Sequence, residues 1–169
     1  MKAIVIDTET TGIRPCDDVL QVSIIDFDGK ILFNEYMKPI CVIEWPEAER
    51  VNGISPDMVK DCKTILYYKE EIQKIIDDAE LIIGYNTGFD LNILEDKGIV
   101  SKDKKTYDVM QTFAEIYGDW NEYRQSYKWQ KLTTCANYYH YTWEEDAHNS
   151  LGDVKATLYC YKQIVKEEN

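Results

Sequence analysis

Histidine is scarce in this chain: only His140 and His148 occur among 169 residues. The five cysteines, Cys16, Cys41, Cys62, Cys135 and Cys160, show no C-x-x-C spacing. Neither a zinc knuckle nor a disulfide framework fits such a pattern, and a reducing cytoplasm does. Any bound metal is therefore expected to be held by oxygen. Long hydrophobic runs are missing too. Segments such as Ile4-Val-Ile6 and Leu81-Ile-Ile83 are far too short to span a bilayer, and the N-terminus lacks the apolar core and cleavage site of a leader. The expectation is a soluble, unsecreted, cytoplasmic protein with no membrane contact. Positive charge is the third shortage, with 19 Lys and Arg against 31 Asp and Glu and a net charge of −12. Affinity for a polyanion comes largely from cations on phosphates, so an extended nucleic-acid groove is disfavoured and only a short footprint is left open.

What is present reads as one α/β domain over residues 1–169, a length sufficient for a single sizeable core. Ala3 to Thr8, Val19 to Phe27 and Ile31 to Met37 have strand character, the last two joined by Asp28-Gly29, a strong hairpin signal. Residues 38–62 hold three of the four prolines and read as irregular, with a short helix after Ser55-Pro56. Helical spacing follows over Tyr67 to Ala79, then a buried strand at Leu81 to Gly84, a helix from Phe89 to Lys97 and a strand from Lys105 to Met110. Helices are expected at 110–117, 131–139 and 150–166. The order predicts a mixed central sheet, three antiparallel strands followed by parallel ones, flanked by helices.

The chemistry is carried by carboxylates at element ends. Alternation in the first strand projects Asp7 and Glu9 from one face, and at about 5 Å they repel by roughly 3 kcal/mol at an effective dielectric of about 20. Something positive should sit between them. Asp90 follows the second buried strand in Gly84-Tyr-Asn-Thr-Gly-Phe-Asp90, and Asp153 opens the last helix in Ala147-His-Asn-Ser-Leu-Gly-Asp153. Each has a plainer reading. Asp90 suits a helix N-terminus by its charge, and Ser150-x-x-Asp153 is a capping-box pattern. Four carboxylates and one histidine, His148, at strand ends and helix starts are nevertheless hard to obtain as independent accidents, and α/β sheets bind ligands beyond the carboxyl ends of their strands.

D-T-E-T-T-G, Y-N-T-G-F-D and A-H-N-S-L-G-D, in that order, resemble the three motifs of the DEDD exonuclease superfamily, with His148 five residues before the last Asp as in its DEDDh branch. That branch includes ribonuclease T, oligoribonuclease-type enzymes and polymerase proofreading subunits. Val51-Asn-Gly-Ile54 resembles the family's H-G-I loop, with Asn52 where histidine is common. Tyr107-Asp108 resembles its D-T strand and Lys131-Leu132 its K-L helix start.

The resemblance implies a ribonuclease H-like fold and a 3′-to-5′ exonuclease that releases 5′-mononucleotides from the 3′ ends of single-stranded or frayed nucleic acid, DNA and RNA both open. It implies two divalent cations, Mg²⁺ or Mn²⁺, held by Asp7, Glu9, Asp90 and Asp153, with Asp7 bridging them and His148 as general base. Thr10, Ile54 and Lys131 are the residues it points to for substrate binding. A polymerase-associated proofreading or nucleic-acid-binding subunit is the alternative function, and a second copy of the chain or a polymerase the protein partner it allows. From Tyr117 to Trp143 run nine aromatic residues interleaved with Arg124, Lys128 and Lys131. They suit either base stacking beside phosphate contacts or a satellite core.

Overall fold

Alternation along the first strand decides how the layers are assembled. In β1 (Ala3–Thr10), Ala3 and Val5 face one apolar cluster while Ile4 and Ile6 face another. A strand that is apolar on both faces must be covered on both. The structure, a computed structural model, describes residues 2–14, 16–143 and 149–167. Its main sheet comprises β1, β2 (Val19–Asp26), β3 (Ile31–Tyr36), β4 (Leu81–Gly84) and β5 (Lys105–Asp108) in the order β3-β2-β1-β4-β5. The first three pair antiparallel, whereas β4 and β5 run parallel to β1. The expected mixed sheet is the one observed.

Between β2 and β3 the chain turns at Asp28-Gly29, with Gly29 at φ 88° and the Asp26 carboxylate accepting from the Asp28 and Lys30 amides. One sheet face is covered by α3 (Ile65–Asp78), which buries Ile65, Ile72 and Ile76, and by α4 (Thr87–Asp96), which buries Ile93 and Leu94. On the other face lie α5 (Val109–Tyr117), α6 (Leu132–Tyr138) and α7 (Ser150–Glu167), with Phe113, Val154, Leu158 and Ile164 at the contact. A smaller cluster of Leu20, Trp45, Ile54 and Val59 sits under residues 38–62. No helix among the described residues is long and apolar enough to cross a membrane.

Three features depart from the sequence expectations. Residues 38–62 hold, besides the expected short helix α2 (Pro56–Val59), a helix α1 (Pro46–Asn52) that buries none of its residues. Without an apolar face it has no periodicity to read, and only Pro46 at its start and Gly53 at φ 71° after its end mark it. Strand β5 stops at Asp108 rather than Met110, because the Asp108 side chain caps α5 by accepting from the Met110 and Gln111 amides. A two-stranded hairpin, β6 (Trp120–Asn121) with β7 (Ser126–Tyr127), occupies a segment for which no strand was expected.

Candidate active site

Strand β1 is longer than its parallel partner, and the site grows from that mismatch. Pairing of β1 with β4 runs only from Ala3 to Val5, so beyond it the backbone of β1 has no β4 neighbour. After Gly84 the chain turns sharply through Asn86, in the left-handed region at φ 67°, into α4. A Cβ at Gly84 would lie 3.1 Å from the Thr87 Cα and 2.8 Å from its hydroxyl, so the turn needs glycine there. It carries Asp90 back over β1. The Asp90 Oδ1 accepts from the Thr8 amide at 2.9 Å and from the Thr8 hydroxyl at 2.7 Å. Asp108 ties the same turn to α5 by accepting from the Asn86 amide at 3.2 Å.

On the other face of β1, Asp7 and Glu9 meet Asp153 from the start of α7. One carboxylate oxygen from each of the three lies within 4.8 Å of the others, and all three residues are half-buried. The N-terminal end of α7 is held by a buried polar network. Ser150 Oγ lies 2.6 Å from Ser23 Oγ, Ser23 Oγ donates to Asn34 Oδ1 at 2.9 Å, and Asn149 Nδ2 donates to the Tyr36 hydroxyl at 3.1 Å. Asn149 also caps the helix, its Oδ1 accepting from the Leu151 amide at 3.1 Å. The Ser150 hydroxyl thus faces Ser23, in place of the capping role its spacing to Asp153 suggested, and Asp153 stands in the acidic cluster.

The electrostatics follow from this convergence. Burial first, then Asp90, Asp153 and Glu9 in turn, push Asp7 well above the usual carboxylate range. Glu9 is pushed up to about 8 by burial and by Asp153 and Asp90, against an opposing hydrogen bond from Asn52. Asp90, 2% exposed, is pushed up to about 7 by burial, with Asp108 adding to the rise and the two Thr8 bonds opposing it. Among the described residues no Lys or Arg forms an ion pair with Asp7 or Glu9. Among the described residues the positive partner expected from the sequence is thus not a Lys or Arg side chain.

Of the remaining residues singled out, Thr10 borders a cleft of about 630 Å³ that also involves Glu9, Gly12, Trp45, Val51 and Asn52. Its carbonyl accepts from Asn52 Nδ2 at 3.2 Å. Asn52 Oδ1 in turn accepts from the Ile54 amide at 3.0 Å, so this asparagine fastens the loop to the end of β1. Ile54 itself is 2% exposed and packs with Leu20, Trp45 and Val59. Its side chain belongs to the apolar cluster, while Val51, at 59% exposed, and Ile13, at 86%, are apolar side chains presented at the cleft. Lys131 is exposed at the start of α6. His148 lies outside the described residues; Asn149 is the first described residue after it. Thr8 escaped sequence reasoning because it points away from the carboxylate face. Its only signal was its place inside D-T-E.

Comparison with known proteins follows the same lines. The RNase T family model, described as an exonuclease, matches residues 4–161. "Uncharacterized exonuclease CP81" of Escherichia phage 186 is 28% identical over 173 residues, covering 96% of this chain and 88% of the phage protein. RNA exonuclease 4 of Aspergillus fumigatus is 23% identical, and DNA polymerase III subunit epsilon of Rickettsia conorii 31% identical over 100 residues. The chain spans 50% of the former and 43% of the latter. Among solved structures, exonuclease X in complex with 5′ overhanging duplex DNA superposes with a TM-score of 0.71 at 19% identity, covering 98% of this chain and 92% of that one. Exonuclease I of E. coli in complex with a dT13 oligonucleotide gives 0.78 at 20%, covering 96% and 40%. At these identities the structures share the fold, which is ribonuclease H-like. The match of the family model over nearly the whole sheet and its helices settles the assignment: the chain belongs to the RNase T exonuclease family of the DEDD superfamily and is a nuclease.

Proposed function

We propose that the chain is a metal-dependent 3′-to-5′ exonuclease that hydrolyses single-stranded or frayed DNA or RNA and releases 5′-mononucleotides, with residues 1–169 acting as one catalytic domain. The observation that carries the reading is the approach of Asp7, Glu9 and Asp153 to within 4.8 Å, with no Lys or Arg ion-paired to Asp7 or Glu9 among the described residues. Such an all-oxygen set, unstable in its ionised form, fits Mg²⁺ or Mn²⁺. Two such ions, when bound, neutralise the scissile phosphate and favour ionisation of the attacking water.

In this reading Asp7, Glu9, Asp90 and Asp153 hold the cations. Asp90 is the outer member, since one of its oxygens is already engaged by Thr8. His148 accepts the proton of the attacking water, a role that suits an imidazole. Thr10 borders the terminal nucleotide and Lys131 meets a phosphate. Ile54 acts from beneath, seating the loop that presents Val51 and Asn52.

The test is an oligonucleotide carrying a 5′ label, DNA and RNA in parallel, incubated with Mg²⁺, Mn²⁺ or EDTA. A ladder shortening from the 3′ end, absent in EDTA, is expected. Internal cuts, or immediate release of the label as a mononucleotide, would refute the direction; full activity in EDTA would refute the metal. A second reading, a polymerase-associated proofreading subunit, draws on the likeness to DNA polymerase III subunit epsilon over 56% of this chain. It requires a stable complex with a polymerase, which hydrolysis by the isolated chain does not.

A further inference from the structure

The nine aromatic residues between Tyr117 and Trp143 divide in the structure. Tyr139, Tyr141 and Trp143 lie in or against the apolar cluster around α7, and Tyr117 and Tyr138 pack on Phe113. Trp120, Tyr123, Tyr127 and Trp129 belong to none of the clusters and are 41%, 96%, 39% and 67% exposed. They decorate the β6–β7 hairpin. Exposure here is not looseness of the turn, because the hairpin is well tied. Trp120 pairs with Tyr127 across the strands, edge to face at 5.1 Å. Asn121 Oδ1 accepts from the Tyr123 and Arg124 amides, both at 3.0 Å, and Lys128 bridges to Asp119 at 2.9 Å across the neck. An ordered hairpin that holds large aromatic surfaces in water is arranged for a ligand.

The charge around it is opposite in sign to the rest of the chain. Residues 117–131 carry Arg124, Lys128 and Lys131 against Asp119 and Glu122, three positive and two negative, net +1 within a protein of net −12. Arg124, Lys128, Tyr127 and Trp129 line a groove of about 440 Å³ with Asn121 and Ser126. Its position relative to the carboxylates is set by Tyr85, which directly follows β4 and donates its hydroxyl hydrogen to the Gln130 carbonyl at 2.9 Å. The hairpin therefore stands at the carboxyl edge of the parallel strands, the edge that bears Asp7, Glu9 and Asp90.

We propose that the 120–129 hairpin is a stacking platform for single-stranded nucleic acid, receiving bases upstream of the terminus that enters the carboxylate site; this rests on the exonuclease reading. Every base has a face for an aromatic ring, and cations set between the rings meet the phosphates, so the platform is tolerant of sequence. It also gives an acidic nuclease a preference for longer single strands without a long basic groove.

The experiment compares wild type with Tyr123→Ala/Trp129→Ala on a dinucleotide and on an oligomer of about 20 nucleotides, measuring hydrolysis in Mg²⁺ and oligomer affinity in Ca²⁺. With two stacking rings removed, the double variant should bind the long oligomer at least about 30-fold more weakly. Its KM for that oligomer should rise in step, while kcat, the dinucleotide kinetics and Tm stay near wild type. Trp129→Phe, which keeps a ring, should retain the long-oligomer affinity. Equal long-oligomer affinity in wild type and the double variant overturns the platform and assigns the exposed rings to a protein partner. Equal losses on both substrates overturn it as well, by showing damage to the site itself. A wild-type chain that hydrolyses neither substrate refutes the exonuclease reading, and the platform falls with it, whereas intact hydrolysis with unchanged length dependence refutes the platform alone.

Discussion

Asp90 accepts both the amide and the hydroxyl hydrogen of Thr8, at 2.9 and 2.7 Å, so the residue between Asp7 and Glu9 fastens their strand to helix α4. The pair is buried, with Thr8 at 7% and Asp90 at 2% exposed. A hydrogen bond to a charged group contributes about 1.5–3 kcal/mol, and removing one partner leaves the other unsatisfied. Thr8→Val keeps the amide bond and deletes the hydroxyl. It should lower stability by about 1–3 kcal/mol and slow single-turnover hydrolysis, since Asp90 loses one of its two positional constraints. Chemical denaturation and quench-flow check both arms, and an unchanged unfolding midpoint would show the hydroxyl bond to be dispensable.

Metal-free stability should depend on pH in the unusual direction. Asp7 is held well above its ordinary pKa, Glu9 is raised from 4.5 to about 8 and Asp90 from 3.8 to about 7. These groups bind protons more tightly folded than unfolded, so the folded state carries more protons between about pH 4 and pH 8, and stability falls as pH rises through that window. Divalent cations bind the ionised carboxylates, so saturating Mg²⁺ or Mn²⁺ should offset the fall and raise Tm most at the alkaline end. Asp7→Asn should abolish turnover yet keep or raise Tm in EDTA at pH 8, because it removes mutual repulsion. Unfolding curves in EDTA and in Mn²⁺ at three pH values suffice; a wild-type Tm that climbs with pH in EDTA would contradict the repulsion on which the site is built.

How far the sequence could be read is clear from particular residues. Asp7 and Glu9 were legible because a strand has a period of two, and the antiparallel start of the sheet because Asp28-Gly29 marks a hairpin. The convergence of Asp153 on them came only through a family resemblance, since nothing local tells how α7 crosses β1 and β2. Local pattern even pointed elsewhere, to a capping role with Ser150 that the structure gives to Asn149. The burial of Ile54 was hidden for a similar reason. It depends on Trp45, nine residues away, whose indole donates to the Ile54 carbonyl at 2.6 Å.

Asn52 stands where the family commonly has histidine, and its amide serves three neighbours, the Thr10 carbonyl, the Ile54 amide and the Glu9 carboxylate. Asn52→Leu should therefore act on metal affinity as well as on the loop. The lost bond had opposed the rise in the Glu9 pKa, so Glu9 would be protonated to still higher pH, and more Mn²⁺ would be needed for half-maximal rate at pH 7. Stability should fall by about 1–3 kcal/mol through the unsatisfied backbone groups. A Mn²⁺ dependence identical to wild type would separate Asn52 from the carboxylate site.

Salt should weaken substrate binding only gently. The chain carries −12 overall, and its positive help beside the site comes from bound cations, Lys131 and the hairpin residues Arg124 and Lys128. With an Asp7→Asn variant in Ca²⁺, a plot of log affinity against log salt should be shallower than about −4. A steeper slope would mean phosphate contacts beyond those residues.

The anchoring of α7 provides the last prediction. Ser23 and Ser150 are both fully buried, their hydroxyls 2.6 Å apart, with Ser23 also donating to Asn34. Ser23→Val deprives Ser150 Oγ and Asn34 Oδ1 of a partner at the point where α7 begins, one turn before Asp153. The helix start should shift, and Asp153 with it, so kcat should fall about 10-fold or more while higher Mn²⁺ recovers part of the loss. His148→Ala should behave differently. Loss of a general base costs about 10²- to 10⁴-fold and removes the rise of the chemical step through pH 6 to 7.5, with no recovery by added metal. Single-turnover rates against pH and Mn²⁺ for the two variants separate the roles. Recovery of His148→Ala by metal would make that histidine a positioning residue for Asp153, and failure of Ser23→Val to respond to metal would mean that the buried network holds α7 without setting the metal site.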